Sequence, residues 1–162
     1  MRVLFVCLGN ICRSPTAHGV FREIARREAP GLVTVVDSAG TAAYHVGEQP
    51  DPRTRRVAAA RGYDLEDLRA RQVQRADFER FDLLLAMDRA NLAELRRLAP
   101  PTRRERVHLF LEYAGHGAHA HAAPPGEVPD PYCGDEGGFI AVLELVEAAS
   151  HGLVTRLRDQ AG

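Results

Sequence analysis

Short uninterrupted apolar runs alternate along this chain with longer stretches in which apolar residues recur every three or four positions. The first run is Val3-Leu4-Phe5-Val6. It lacks polar alternation, so the strand it predicts is buried on both faces, as in a parallel sheet. Ser14 can cap the helix that follows, with Pro15 at its first position. Ala17, Val20, Phe21, Ile24 and Ala25 share one helical face, and Pro30-Gly31 ends it. Val33-Thr34-Val35-Val36 predicts a second strand, running into Asp37-Ser38-Ala39-Gly40. A long loop with Tyr44, His45, Gly47, Pro50 and Pro52 leads to a helix from Pro52 to Arg61, stopped by Gly62. Tyr63 to Phe78 reads as polar surface connection with a short turn near Asp77.

Leu83-Leu84-Leu85-Ala86 predicts a third strand. Asp88 can cap the next helix, whose apolar positions are Leu92, Leu95 and Leu98, before Pro100-Pro101. Val107 to Leu111 predicts a fourth strand. Tyr113 to Pro131 is rich in Gly, His and Pro and reads as loop. A last helix runs from about Asp135 to Arg158, with Gly152 as its weak point. Strands alternating with helices predict an α/β fold: a three-layer α/β/α domain with a four-stranded parallel sheet in the order 2-1-3-4. No repeat or boundary divides residues 1–162, which are expected to form a single domain.

Composition narrows the function classes. A length of 162 residues suits one domain with a real core. The net charge of -1 gives no reason to expect nucleic acid or an anionic membrane as partner. No uninterrupted run nears the roughly 18 apolar residues of a membrane span. The N-terminal apolar stretch lacks the length and cleavage site of a signal peptide. Three cysteines fit a reducing cytoplasm better than a disulfide framework. A cytoplasmic location is therefore expected, with leaderless export left open.

The candidate chemistry lies directly after the first strand, in Cys7-Leu8-Gly9-Asn10-Ile11-Cys12-Arg13-Ser14-Pro15. In parallel sheets ligands sit beyond the carboxyl ends of strands, where this loop falls. The backbone N–H groups of a tight loop can converge on an anion, and the following helix N-terminus adds positive partial charge. Arg13 adds a guanidinium suited to bidentate phosphate binding. The same field favours a thiolate at Cys7, so nucleophile and phosphate cradle can be one object. Ser14 can hydrogen-bond the Cys7 sulfur, and Asn10 can hold the loop's shape through its side-chain amide. The leaving oxygen needs a proton, and a later water must lose one. Asp130, stiffened between Pro129 and Pro131, is the candidate for both steps.

The Cys7–Pro15 loop occurs with Ser38-Ala39-Gly40-Thr41, His45-Val46-Gly47, Pro50-Asp51-Pro52-Arg53, Ala70-Arg71-Gln72-Val73, Asp77-Phe78, Ala86-Met87-Asp88 and Asp130-Pro131-Tyr132. In this order and over nearly the whole chain, the set resembles the low-molecular-weight protein tyrosine phosphatases. The resemblance implies a phosphotyrosine phosphatase working through a cysteinyl-phosphate, with Cys7 as nucleophile, Arg13 as phosphate clamp and Asp130 as general acid and base. It implies a substrate site built from Leu8, Gly9, Asn10, Ile11, Cys12 and Ser14, walled by Tyr44 and Tyr132. Asn10, Ser14 and Ser38 correspond to loop supports. Cys12 corresponds to a second cysteine able to form a reversible disulfide with Cys7, although packing alone also accounts for it. Expected partners are phosphotyrosine proteins or peptides, with phosphate and other oxyanions as inhibitors. No cofactor, metal, nucleic acid or membrane is expected, and the chain is expected to be a monomer or weak dimer.

The sequence also departs from the family. Tyr44 stands where many members have Trp, and Cys133 where many have a second aromatic. Leu68 replaces a frequent His, which implies a missing polar support and leaves Asp88 to cap its helix. Ile11, where phosphoarginine-directed relatives carry Thr, favours phosphotyrosine over phosphoarginine. Arsenate reductases on this scaffold need further relay cysteines, and residues 86–100 contain none. A catalytically silent phosphate-binding module would not need Cys7, Arg13 and Asp130 together. Cys133 reads as incidental. His116, His119 and His121 lack the paired spacing of a zinc site and read as a solvated loop.

Overall fold

A computed structural model describes residues 1–116 and 124–162; His119 and His121 lie outside the described residues. Strands β1 (Arg2–Cys7), β2 (Val35–Gly40), β3 (Leu83–Ala86) and β4 (Val107–Leu109) form one parallel sheet in the order β2-β1-β3-β4. β1 is central, and its side chains alternate between two cores. Val3 and Phe5 belong to the core formed with α1 (Arg13–Glu28), α2 (Pro52–Ala60), the single-turn α5 (Phe110–Tyr113) and α6 (Glu136–Ala161). Leu4 and Val6 point to the other core, with Phe78 of the short α3 (Asp77–Arg80) and Leu95 of α4 (Arg89–Leu98). Both faces are therefore covered, which is why the strand shows no polar alternation. Phe5 is fully buried, with Phe21 and Phe110 edge-on at centroid distances of 5.6 and 5.0 Å. Truncating such a residue costs about 3–5 kcal/mol.

The structure differs from the pattern in four places. The fourth strand ends at Leu109, and Phe110 and Leu111 turn into α5, which stays in the core. A short apolar run does not distinguish a buried strand from a buried helical turn. Residues 63–78 are not mere surface connection, since Tyr63, Leu65, Leu68, Ala70, Val73 and Phe78 are buried. Ser14 is not the cap of α1: the helix starts at Arg13 after Cys12, and the Ser14 hydroxyl serves the loop instead. β2 begins at Val35 rather than Val33.

α6 runs unbroken through Gly152, where a Cβ would lie 2.3 Å from the Ala114 carbonyl oxygen. The glycine therefore allows α6 to approach the end of α5. By length and composition alone α6 could cross a membrane, but Phe139, Val142, Leu143, Val146, Leu153, Val154 and Leu157 are buried in the core, and the helix packs on α1.

Candidate active site

Residues 7–13 leave the carboxyl end of β1 and curl into the first turn of α1. Gly40 pairs with Cys7 in the sheet, and a Cβ there would lie 2.6 Å from the Leu8 carbonyl oxygen. Its absence lets β2 close on the loop, where Thr41 N–H donates to the Cys7 carbonyl and Ala42 N–H to that of Leu8. Asn10 takes a left-handed φ of 57°, the one non-glycine residue with positive φ among those described. That conformation is uncommon outside glycine and needs support. The support is polar and buried. Asn10 Nδ2 donates to Ser14 Oγ (2.8 Å), and Asn10 Oδ1 accepts from the Arg71 backbone N–H (3.0 Å). Two groups then converge on the Cys7 sulfur: Ser14 Oγ at 3.1 Å and the Asn10 N–H at 3.3 Å.

Arg71 extends this network outward. Its guanidinium bonds Asp77, which is almost fully buried, and Asp37. Burial opposes the Arg71 charge, but the two carboxylates outweigh it and hold the side chain more firmly protonated than usual. Ser38 lies one strand away from the loop, with His18 Nδ1 3.1 Å from its hydroxyl. Burial pushes the His18 imidazole down to about 4, against the opposing pull of Asp37 at 4.0 Å. A histidine thus does support this region, from α1 rather than from position 68; Leu68 is simply packed in the core.

Arg13 is 4% exposed, and Nη1 bonds Asp88 Oδ2 at 2.7 Å and the Val128 carbonyl at 3.1 Å. Asp88 does more than cap α4: one oxygen accepts from Asn91 N–H while the other fixes Arg13. Burial disfavours the Arg13 charge, but the Cys7 sulfur, Asp88 and Asp130 more than offset this and raise its pKa. Nη2 faces Asp130 Oδ2 at 3.7 Å. Asp130 Oδ1 accepts the Tyr132 N–H at 3.1 Å. The other oxygen is therefore the one turned toward Arg13.

These groups line one cleft of about 160 Å³, together with Leu8, Gly9, Ile11, Cys12, Tyr44, His45 and Tyr132. Cys7 is buried at its floor, while Tyr44 and Tyr132 are exposed at its rim. The cleft brings together every residue expected to touch substrate except Asn10 and Ser14, which bond to its floor from behind. Ser38 stands further back. His45 was not anticipated: its ring packs over Gly9 and lies 6.4 Å from that of Tyr132. Its signals in the sequence are its place beside Tyr44 and the His45-Val46-Gly47 motif, neither of which assigns it to the cleft.

Cys12 is buried, and burial pushes its thiol up to about 12. Cys133 is exposed, and all three cysteines are free. Among the described residues no cluster of His, Cys, Asp or Glu is arranged to hold a metal ion.

A family model described as "Low molecular weight phosphotyrosine protein phosphatase" matches residues 2–161. A low molecular weight protein-tyrosine-phosphatase of Streptomyces coelicolor is 51% identical over 162 residues, spanning 98% of this chain and 94% of the relative. A low molecular weight phosphotyrosine protein phosphatase of Schizosaccharomyces pombe is 44% identical over 155 residues, spanning 94% and 95%. The crystal structure of a protein tyrosine phosphatase from Entamoeba histolytica, with Hepes in its active site, matches with a TM-score of 0.88 at 36% identity and covers 100% of this chain and 99% of that one. The chain belongs to the low-molecular-weight phosphotyrosine protein phosphatases and is, with them, a phosphoric monoester hydrolase.

Proposed function

From that membership we propose that this enzyme hydrolyses phosphotyrosine in proteins or peptides through a cysteinyl-phosphate on Cys7. The observation that carries this is a single cleft with Cys7 at its floor, Arg13 and Asp130 on its sides and Tyr44 and Tyr132 at its mouth. The phosphoryl group enters the loop, and Arg13 with the loop amides stabilises its equatorial oxygens. The Cys7 thiolate attacks phosphorus in line. As the S–P bond forms, the P–O bond to tyrosine breaks, and Asp130 gives its proton to the phenolic oxygen. The Tyr132 N–H occupies Oδ1, so the proton is carried on Oδ2, toward the cleft. In the second half-reaction Asp130 takes a proton from water, the water oxygen attacks phosphorus, and the S–P bond breaks. Ser14 and the Asn10 N–H receive the departing thiolate. Positive charge comes from Arg13 and the backbone, so protein groups suffice for every step. The Hepes held by the Entamoeba relative is a sulfonate, which supports an oxyanion cradle here.

The aromatic rim favours phosphotyrosine. With the phosphoryl group at the buried thiol, a substrate ring would lie toward Tyr44 and Tyr132, whereas phosphoserine has no ring to place there. Phosphoarginine is the rival substrate, and Ile11 at the cleft weighs against it. Kinetics on one peptide sequence carrying phosphotyrosine, phosphoserine or phosphoarginine tests the assignment. The expected kcat/KM for phosphotyrosine exceeds the others by roughly 100-fold or more, corresponding to about 3 kcal/mol of differential transition-state binding. Equal or better phosphoarginine turnover overturns it.

A further inference from the structure

We infer that Arg53 is a positioning residue that holds the Asp130 loop against the phosphate loop. The inference rests on the proposed role of Asp130 as acid.

Arg53 lies in the first turn of α2, two residues after the N-cap Asp51. Its guanidinium grips the Asp51 carboxylate with two nitrogens, Nε to Oδ1 at 3.1 Å and Nη2 to Oδ2 at 2.9 Å. Asp51 is nearly buried, and its own N–H donates to the Ile11 carbonyl of the phosphate loop at 2.8 Å. The Arg53 guanidinium is thereby referenced to the loop that holds Cys7. From this anchor it reaches across to the other side of the cleft. Nη2 donates to the Tyr132 carbonyl at 3.0 Å and Nη1 to that of Gly134 at 3.4 Å. Its plane lies over the Phe139 ring of α6 at 4.4 Å and near the Tyr132 ring at 5.8 Å.

Within residues 129–134 Pro131 is buried and Arg13 Nη2 faces Asp130 at 3.7 Å, but the backbone has few hydrogen bonds to the rest of the chain. Val128 is tied by its N–H to Met87 and by its carbonyl to Arg13, and the chain is next fixed where α6 begins. Among the described residues, the hydrogen bonds from elsewhere in the chain to the backbone of 129–134 all come from Arg53. Asp130 sits in this span, half-exposed, with Oδ1 bonded to the N–H of the residue whose carbonyl Arg53 holds. Releasing that carbonyl frees Tyr132, and with it both the orientation of the acid and one aromatic wall. A shift of about 1 Å in a reacting group can cost on the order of 100-fold in rate. A planar fork that binds a carboxylate and a carbonyl together cannot be replaced by an ammonium or an apolar side chain.

The test measures kcat/KM for phenyl phosphate and p-nitrophenyl phosphate, with inhibition by inorganic phosphate, for the parent, Arg53→Ala, Arg53→Met, Asp130→Asn and Arg53→Ala/Asp130→Asn. Phenolate is the poorer leaving group and depends more on protonation. Arg53→Ala is expected to lower kcat/KM about 10-fold on phenyl phosphate and no more than about 3-fold on p-nitrophenyl phosphate. Phosphate inhibition should stay within about 2-fold, because Asp51 N–H and the loop remain. In the Asp130→Asn background, removing Arg53 should change kcat/KM by less than about 2-fold. Arg53→Met keeps contact with Phe139 but loses the donors, and should behave like Arg53→Ala. Equal losses on both substrates with weakened phosphate inhibition would make Arg53 a general scaffold residue and overturn the inference. So would parent-like Arg53 variants. If Asp130→Asn itself loses both substrates equally, the acid assignment fails first and the inference fails with it, a pattern distinct from the other two.

Discussion

The two sides of the cleft are built differently. Residues 7–13 turn sharply, but Asn10, Ser14 and Arg71 bond them from within the buried protein, and β2 closes over their backbone. Residues 128–134 are held at their ends, and Asp130 between them is about half exposed. The floor is therefore organised before substrate arrives, while the Asp130 side depends on a few long side chains, above all Arg13 and Arg53. The contrast fits the proposed chemistry. Charge stabilisation at phosphorus gains most from fixed dipoles, whereas a group that first gives and then takes a proton needs access to water.

The sharpest way to break this comparison is at the floor. Cys7→Ser should lower turnover of aryl phosphates by about 10⁴-fold or more while inorganic phosphate still binds, as titration calorimetry would register. Hydrolysis at the parental rate would remove the nucleophile from the mechanism. A change behind the floor should register first as lost stability. Arg71→Met leaves the buried Asp77 carboxylate with the Gln74 N–H alone, and should cost up to about 3 kcal/mol in urea unfolding. The backbone N–H that holds Asn10 survives, so kcat should fall far less than for Cys7→Ser. An unchanged unfolding midpoint would show that the network carries no stability.

The smallest expected effect is in acid. His18 titrates near 4 because it is buried, below the ordinary value of 6.5; Asp37 and Asp67 favour its charge, while Arg22 and Arg71 oppose it. A depressed pKa stabilises the fold above the unfolded value and loses that contribution as pH falls through the folded one. Between pH 6.5 and about 4 the imidazole should thus withdraw on the order of 2 kcal/mol. His18→Asn should flatten this part of the stability profile in urea melts at stepped pH. An identical acid slope in both proteins would place the sensitivity elsewhere.

Much of this was readable from the chain. The buried strands appear as unbroken apolar runs, and residues 7–15 form a contiguous loop whose chemistry needs no tertiary information. What escaped shares one property: it joins side chains far apart in sequence. Asp88 meets Arg13, His18 meets Ser38, and Arg53 meets Tyr132 across intervals that no periodicity spans. Residues 63–78 misled for another reason. Their buried side chains are spaced irregularly among charges, because they pack as individual plugs rather than as one face. Phe110 and Leu111 misled because burial alone does not choose between extended and helical backbone.

The packing of α6 on α1 also sets a timetable. The phosphate loop and its helix leave the ribosome long before α6, whose surface α1 buries against. Val128 and Arg13, bonded in the finished protein, lie 115 residues apart. At roughly 5–20 residues per second, the loop is out of the ribosome for several seconds or more before residues 136–161 can cover the back of its helix. For most of that interval the nascent chain carries Cys7 without the Asp130 side of the cleft. The back of the loop's helix is thus covered well after the loop itself is made, and a chain truncated before α6 would leave Cys12 and the buried face of α1 without Phe139, Val142 and Leu143.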